Sequence, residues 1–256
     1  LAVEIREFLG NEEDWHCGRG KPILEKGREE TIALLREKIQ SREGEAKLAY
    51  VGGEYAGFIQ YYKTDASPAK VAGENTYYIC CMEVLEKHRG QGVGRALLDA
   101  AMAEMKDAKG VAVSSYQDTW MSKSYFLRQG FQVVAEEGPM SLLFKRFTPD
   151  AQPPRQIEQS FRASLGEGQV VLDTFPGMCQ CPFSLLFYER VKKIAREEGA
   201  EIREHPLKNR SDLIRYGVNP YATLINGKDP WYDPTIPDDQ IRAYIRKAKD
   251  ESQPEL

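Results

Sequence analysis

Thr76-Tyr77-Tyr78-Ile79-Cys80-Cys81-Met82-Glu83-Val84, followed after four intervening residues by Arg89-Gly90-Gln91-Gly92-Val93-Gly94-Arg95, decides how the first half of the chain folds. The first run is apolar on both faces, as a strand at the centre of a sheet must be. The second opens a helix, Val93 to Lys106, with an apolar stripe at Leu97, Leu98, Ala101, Met102 and Met105. Gly110 reads as the stop of that helix. Strand, glycine loop and helix together turn successive backbone N–H groups toward an anion. Glycines at 90, 92 and 94 leave no Cβ to hold a pyrophosphate off those amides. The spacing excludes two other phosphate binders. A P-loop requires Gly-Lys-Ser/Thr at the helix start, where Val93-Gly94-Arg95 stands. A dinucleotide-binding unit requires an acidic residue after its second strand, and Ser114-Ser115 occupies that neighbourhood.

Working outward, Ala2 to Phe8 alternates as a short strand, and Glu25 to Gln40 carries apolar residues at helical spacing. Lys47 to Val51 and Tyr55 to Tyr62 flank Gly52-Gly53 and form a β-hairpin. Downstream come a strand at Val111 to Ser115, a short helix at Ser122 to Arg128, and strands at Phe131 to Ala135 and Ser141 to Phe147.

The 256 residues carry 35 Lys and Arg against 39 Asp and Glu, a net charge of -4. That balance gives no general basic field for nucleic acid. Hydrophobic content of 41% describes a globular chain. No apolar stretch approaches the ~18 residues of a membrane-spanning helix. The opening residues, Leu1-Ala2-Val3-Glu4, read as no secretory leader. Five unevenly spaced cysteines do not make a disulfide framework, so a reducing, cytoplasmic setting is expected.

Arg89, Gly92 and Gly94, with Val84 closing the strand before them and Gly130-Phe131 downstream, resemble the GNAT acetyltransferase superfamily over residues 1–147. The resemblance implies an α+β fold with a mixed, mostly antiparallel sheet, and acetyl-CoA as co-substrate. Amides from Arg89, Gly90, Gln91, Gly92, Val93 and Gly94, with Arg95 beside them, would hold the pyrophosphate. Backbone groups from Met82 to Val84 would pair with the pantetheine arm. Direct transfer to an amine then needs a base, an acid and an oxyanion donor, the last a backbone N–H near Val84. Glu83, at the strand's end, is the candidate base if partial desolvation raises its pKa; a salt bridge or rim position is the other reading. The family's usual acid is a Tyr five residues before the Gly-Phe phenylalanine, and Phe126 stands there. Tyr125 is adjacent, but one residue round a helix turns a side chain by ~100°. Either Tyr125 takes the role, or water does, or the acceptor chemistry differs. His88 reads as a phosphate contact or a solvated side chain. Trp15-His16-Cys17 lies where the family often builds its acceptor pocket, and the spacing alone makes no metal site.

Composition shifts at Thr148. Residues 149–168 read as a linker with a short helix around Ile157 to Ala163, between domains at 1–148 and 169–256. In the second domain, strands are expected at Val170 to Thr174 and Glu201 to Pro206, and helices at Pro182 to Glu198 and Asp238 to Lys249. Tyr221 to Ile225, Asn226-Gly227 and Trp231-Tyr232 read as a hairpin. Cys181-Pro182-Phe183-Ser184 resembles the Cys-x-x-Ser site of glutaredoxin-like proteins within the thioredoxin fold, over residues 169–250. Pro182 suits the first helical position and leaves Cys181 at the helix N-terminus, which favours thiolate. Asn219-Pro220 resembles the segment facing that cysteine, where the family's proline is often cis. A GNAT domain joined to a small thioredoxin-like domain with Gln180-Cys181-Pro182-Phe183 resembles the YoaP-like acetyltransferases. Cys179-Gln180-Cys181 has three readings: a redox pair, a soft-metal site, or a structural loop. The function expected is N-acyl transfer from acetyl-CoA to an unidentified amine, a small molecule or a peptide. The competing expectation is a thiol-redox or acyl-CoA-binding protein in which Cys181 carries the chemistry. Neither nucleic acid nor membrane is expected as a partner, and the chain leaves room for a homodimer.

Overall fold

Strand-forming runs and two tight turns lay out the first unit of the fold. The computed structural model describes residues 2–116, 121–138, 140–166, 168–229 and 236–252. Contacts divide the chain into two units, Leu1–Trp15 with Leu35–Gln156, and His16–Leu34 with Ile157–Leu256. The elements in chain order are β1 Val3–Glu7, α1 Glu25–Gln40, β2 Gly44–Val51, β3 Glu54–Lys63, β4 Val71–Ala72, β5 Thr76–Val84, α2 Val93–Glu104, β6 Gly110–Tyr116, α3 Lys123–Arg128, β7 Gln132–Glu137, β8 Met140–Arg146, β9 Arg155–Gln156, β10 Val171–Thr174, α4 Pro182–Glu197, β11 Glu201–Glu204, α5 Arg210–Tyr216, β12 Thr223–Ile225 and α6 Asp238–Asp250.

In the first unit, seven strands form one sheet in the order β1-β2-β3-β5-β6-β8-β7. Every neighbouring pair is antiparallel except β5 and β6. Gly52 and Gly53, with φ of 60° and 82°, make the tight β2–β3 turn as expected. Val93, Leu97, Leu98 and Ala101 of α2 pack on Ile59, Ile79, Val111 and Val113 to form the core of one face. On the other face Trp15 sits between Phe8 and Phe58, its ring centroid 5.1 and 4.7 Å from theirs. α2 leaves helical geometry at Met105, so Gly110 is not its stop. Gly110 opens β6 instead, where a Cβ would lie 2.5 Å from the Phe144 ring and 2.6 Å from the Lys145 carbonyl oxygen. The need for a glycine there is close strand packing.

Residues 149–156 belong to this unit: Ala151 is buried and β9 pairs antiparallel with β4. Ile157 to Ala163 form no helix. The amides of Ser160 and Phe161 both donate to the Tyr216 carbonyl, at 3.1 and 3.0 Å, which ties this segment to the C-terminal end of α5.

The second unit is a three-stranded sheet in the order β11-β10-β12, with β10 parallel to β11 and antiparallel to β12. α4 and α6 cover one face through Val191, Ile194, Ile241 and Ile245 on Leu172. Phe175, Leu207, Val218 and Leu224 form a second cluster, with Phe161 and Tyr216 against it. Asn226 and Gly227, at φ of 49° and 78°, form the expected turn after β12. The hairpin's proposed second arm, Trp231-Tyr232, lies outside the described residues. α5 was not expected. Its signals were Asn209, whose Oδ1 accepts from the amides of Ser211 and Asp212, and Gly217, which ends the helix at φ 64°. No described peptide bond is cis, so the Asn219–Pro220 bond is trans. Among the described residues no helix is long and apolar enough to cross a membrane.

Candidate active site

The site of the first unit begins where its one parallel strand pair comes apart. β5 and β6 pair from Thr76–Gly110 to Ile79–Val113 and no further. Beyond that point β5 stays with β3, through Cys81–Gln60 to Val84–Gly57, while β6 stays with β8 as far as Tyr116–Met140. A bulge between Gln60 and Tyr61 leaves Cys80 out of the β3 register, and such extra residues bend a strand. The edge from Cys80 to Val84 that faces away from β3 therefore has no strand beside it among the described residues. It offers about 13 Å of backbone donors and acceptors to an extended ligand. Gly57 permits the bend, because a Cβ there would run into the Glu83 carbonyl.

The glycine loop stands at the end of that edge. Gly90 and Gly92 have φ of 77° and 83°, a left-handed conformation that favours glycine. A Cβ on either would meet nothing within 4 Å, so the loop faces open space. No side chain caps the N-terminus of α2, which leaves its first amides and the positive end of its dipole to an anion. Gly94 serves differently: a Cβ there would lie 3.3 Å from both Met82 Cε and Tyr125 Oη. Arg89 Nε donates to the Val84 carbonyl at 3.2 Å and Gln91 Nε2 to the Lys87 carbonyl at 3.0 Å, which tie the loop to the strand end. Arg95 is exposed on the first turn of α2 and pairs with Asp99 at 3.5 Å. Met82, Val84, Arg89, Gly90, Gln91, Gly92, Val93, Gly94 and Arg95 thus share one end of the sheet.

Tyr125 and Phe126 divide two tasks. Phe126 is 1% exposed and packs in the core against Phe131, centroid to centroid 5.3 Å. Tyr125 turns its buried hydroxyl toward Gly94 and Met82, where it has no hydrogen-bond partner among the described residues. Burial, then the nearby Asp99 carboxylate, push the phenol up to about 12. It is therefore a neutral O–H donor at physiological pH, beside Gly94 at the start of α2. Glu83 is solvent-exposed, so the partial desolvation expected of it is absent. His88 is buried rather than solvated, with Nε2 3.6 Å from the Glu54 carboxylate. Trp15 and Cys17 are buried, and Trp15 serves the aromatic cluster of the first unit. Among the described residues no cluster of His, Cys, Asp and Glu could hold a metal ion. One feature at the cleft was missed from the sequence. Tyr78 donates its hydroxyl to Ser114 Oγ at 2.8 Å, across the point where β5 and β6 part.

In the second unit Cys181 caps α4 at φ -148°, with Pro182 at the first helical position as expected, and is partly exposed. Cys179 is 3% exposed. Its Sγ lies 3.3 Å from the Cys181 carbonyl, 3.6 Å from Thr31 Oγ1 and 3.8 Å from the Gly27 carbonyl. Burial pushes the Cys179 thiol up to about 11. Gly27 allows that approach, since a Cβ on it would lie 2.8 Å from the backbone of Pro182. Tyr221 donates its hydroxyl to Glu30. These partners from residues 27–31 had no signal in the sequence beyond a glycine inside a helical run.

A mixed sheet whose central parallel pair parts beside an open, glycine-led helix defines an acyltransferase domain. Residues 12–131 match the acetyltransferase (GNAT) family, and this part of the chain is a GNAT acetyltransferase domain, of the class that draws its acetyl group from acetyl-CoA. Similar solved structures include the PaiA N-acetyltransferase of Thermoplasma acidophilum in complex with coenzyme A, at 16% identity over 57% of this chain and 100% of that one, TM-score 0.43. Another is a GNAT family acetyltransferase of Brucella melitensis in complex with acetyl-CoA, at 16% identity over 62% and 97%, TM-score 0.39. An acetyltransferase of Thermus thermophilus is 17% identical over 57% and 98%, TM-score 0.43. No curated protein sequence matches the chain.

Proposed function

We propose that the first unit binds acetyl-CoA with its pyrophosphate on the amides of Arg89 to Gly94 and the first turn of α2, and transfers the acetyl group to a primary amine. The observation that carries this reading is the parting of β5 and β6 after Ile79 and Val113, beside the open glycine loop. The pantetheine arm lies along the unpaired edge, bonded to backbone at Met82 and Val84, and brings the thioester toward Cys80. The amine nitrogen attacks the thioester carbon, the C–S bond breaks, and the coenzyme leaves as a thiolate. Tyr125 supplies the proton that thiolate takes up and recovers one from solvent as the thiol leaves, a role that its buried, unpaired hydroxyl supports. The ammonium proton leaves by way of Glu83 to solvent, a route that suits an exposed carboxylate at the strand end. Thermal melts test the binding step: acetyl-CoA is expected to raise the melting temperature of the chain, and NAD and ATP to leave it unchanged. Thiol release on a panel of amines then separates an enzyme from a binder.

The second unit is read as thioredoxin-like, supported by its parallel β10–β11 pair, its antiparallel β12 and a cysteine at the N-terminus of α4. Its Cys179 is buried and bonded within the unit, which favours a structural thiol over a resolving one. Cys181 remains the reactive candidate. The amine acceptor, the YoaP-like subtype and a cytoplasmic setting belong to the same proposal, the last supported by five cysteines joined in no disulfide.

A further inference from the structure

The acetyl-CoA reading leaves open how large an acyl group the cleft admits, and the side chains where β5 and β6 part bear on that. Parallel pairing ends at Ile79 and Val113. On the α2 face both residues are fully buried in a core with Val93, Leu97, Phe126 and Leu143, which leaves no room for an acyl chain. The opposite face is closed differently. Tyr78 precedes Ile79 and so points to that face. Ser114 is the first residue of β6 beyond the pairing. The 2.8 Å hydrogen bond from the Tyr78 hydroxyl to Ser114 Oγ spans the gap at its apex. Tyr78 is 6% exposed, and Tyr62, its partner across β3, is fully buried. Burial holds the phenol well above its ordinary range, so it remains a neutral donor. Cys80 lies further along the strand, with its Sγ 3.8 Å from Ser67 Oγ.

We propose that the Tyr78–Ser114 bridge is the floor of the acyl subsite and restricts the donor to acetyl-sized groups. This rests on the reading that the thioester lies at the Cys80 end of the unpaired edge. A methyl group ends above the ring. Each further methylene has to push the ring aside or break the bridge.

The test is calorimetric titration of the full chain with CoA, acetyl-CoA, butyryl-CoA and octanoyl-CoA, for the wild type, Tyr78→Leu and Ser114→Ala. The wild type is expected to bind octanoyl-CoA roughly tenfold or more weakly than acetyl-CoA. Tyr78→Leu closes that gap to within about threefold, because the ring is gone. Ser114→Ala, which frees the ring without removing it, narrows the gap between butyryl-CoA and acetyl-CoA. Equal wild-type affinity for octanoyl-CoA and acetyl-CoA overturns the proposal. So does a Tyr78→Leu protein that binds CoA with the wild-type preference intact. Should Tyr78→Leu fail to fold, an unchanged butyryl-to-acetyl ratio in Ser114→Ala overturns it alone. Failure of the wild type to bind CoA itself, whatever the acyl length, sinks the acetyl-CoA reading instead.

Discussion

The glycine loop of the first unit and the cysteine loop of the second are the same local construction put to opposite ends. Each joins a strand to the N-terminus of a helix that no side chain caps. At α2 the loop faces open space, and its glycines at 90 and 92 would meet nothing if they carried side chains. At α4 the loop is covered on its Cys179 side: Gly27 packs on the Pro182 backbone, and Thr31 lies 3.6 Å from the Cys179 sulfur. A helix N-terminus favours an anion in both places, but only an open one can receive it. What packs over the terminus decides whether it stands open to a ligand. The loop sequence alone does not.

Two substitutions test the open side, and they carry the largest expected effects. Tyr125→Phe keeps the ring and removes the proton donor. The expected result is a fall in kcat of about a hundredfold or more with KM for acetyl-CoA nearly unchanged. The wild-type phenol, held up to about 12, should also leave no alkaline loss of kcat attributable to it below about pH 10. Unchanged turnover would remove Tyr125 from the mechanism and return the role to water. Gly92→Val forces a branched side chain into φ 83° and sets bulk where the pyrophosphate is to lie. Strain of about 1–2 kcal/mol and the loss of a charge-assisted bond predict about a hundredfold weaker acetyl-CoA binding. Calorimetric titration checks it, and retained affinity would mean that the open loop is not the cradle.

Where the sequence was legible follows the same contrast. β5, α1 and the glycine loop could be read because their constraints are local: a run apolar on both faces, a helical stripe, glycines at positive φ. Phe126 illustrates the limit. Spacing to Gly130-Phe131 puts it where the acid is expected, but core packing against Phe131 claims its side chain, and it is the Tyr125 hydroxyl that lies beside Gly94. Gly110 reads as a helix stop in the sequence, although its need arises from Phe144, a residue 34 positions away that only strand pairing brings near. The partners of Cys179 were invisible for that reason too, since Gly27 and Thr31 lie about 150 residues away along the chain. The Tyr78–Ser114 bridge likewise needed the β5–β6 register before the two residues could be paired.

The covered side yields smaller effects, read as stability. Burial raises the Cys179 thiol in the folded chain to about 11 from an ordinary value of 9.0, so the thiol is the form the fold retains. Stability linked to it is fully present below about pH 9 and is lost as pH rises through about 11, on the order of 2–3 kcal/mol. Cys179→Ala should flatten that part of the stability profile in denaturant titrations at stepped pH. An identical alkaline slope in the variant would place the titration on other groups.

Gly27→Ala is the finest test of the comparison, because two effects of opposite sign meet at one atom. In an exposed helix interior the change stabilises by about 1 kcal/mol, since alanine loses less backbone freedom than glycine. Here the new Cβ would lie 2.8 Å from both Pro182 Cα and its carbonyl oxygen, which are backbone atoms that cannot swing aside. Overpacking of that kind costs about 1–3 kcal/mol, so the net expectation is a loss of about 1 kcal/mol. The shift should also loosen the cover over Cys179 and speed its reaction with a thiol reagent, leaving acetyl-CoA binding in the first unit untouched. A gain in stability with Cys179 still protected would show that residues 27–31 do not press on the cysteine loop, and the two helix N-termini would then differ in sequence alone.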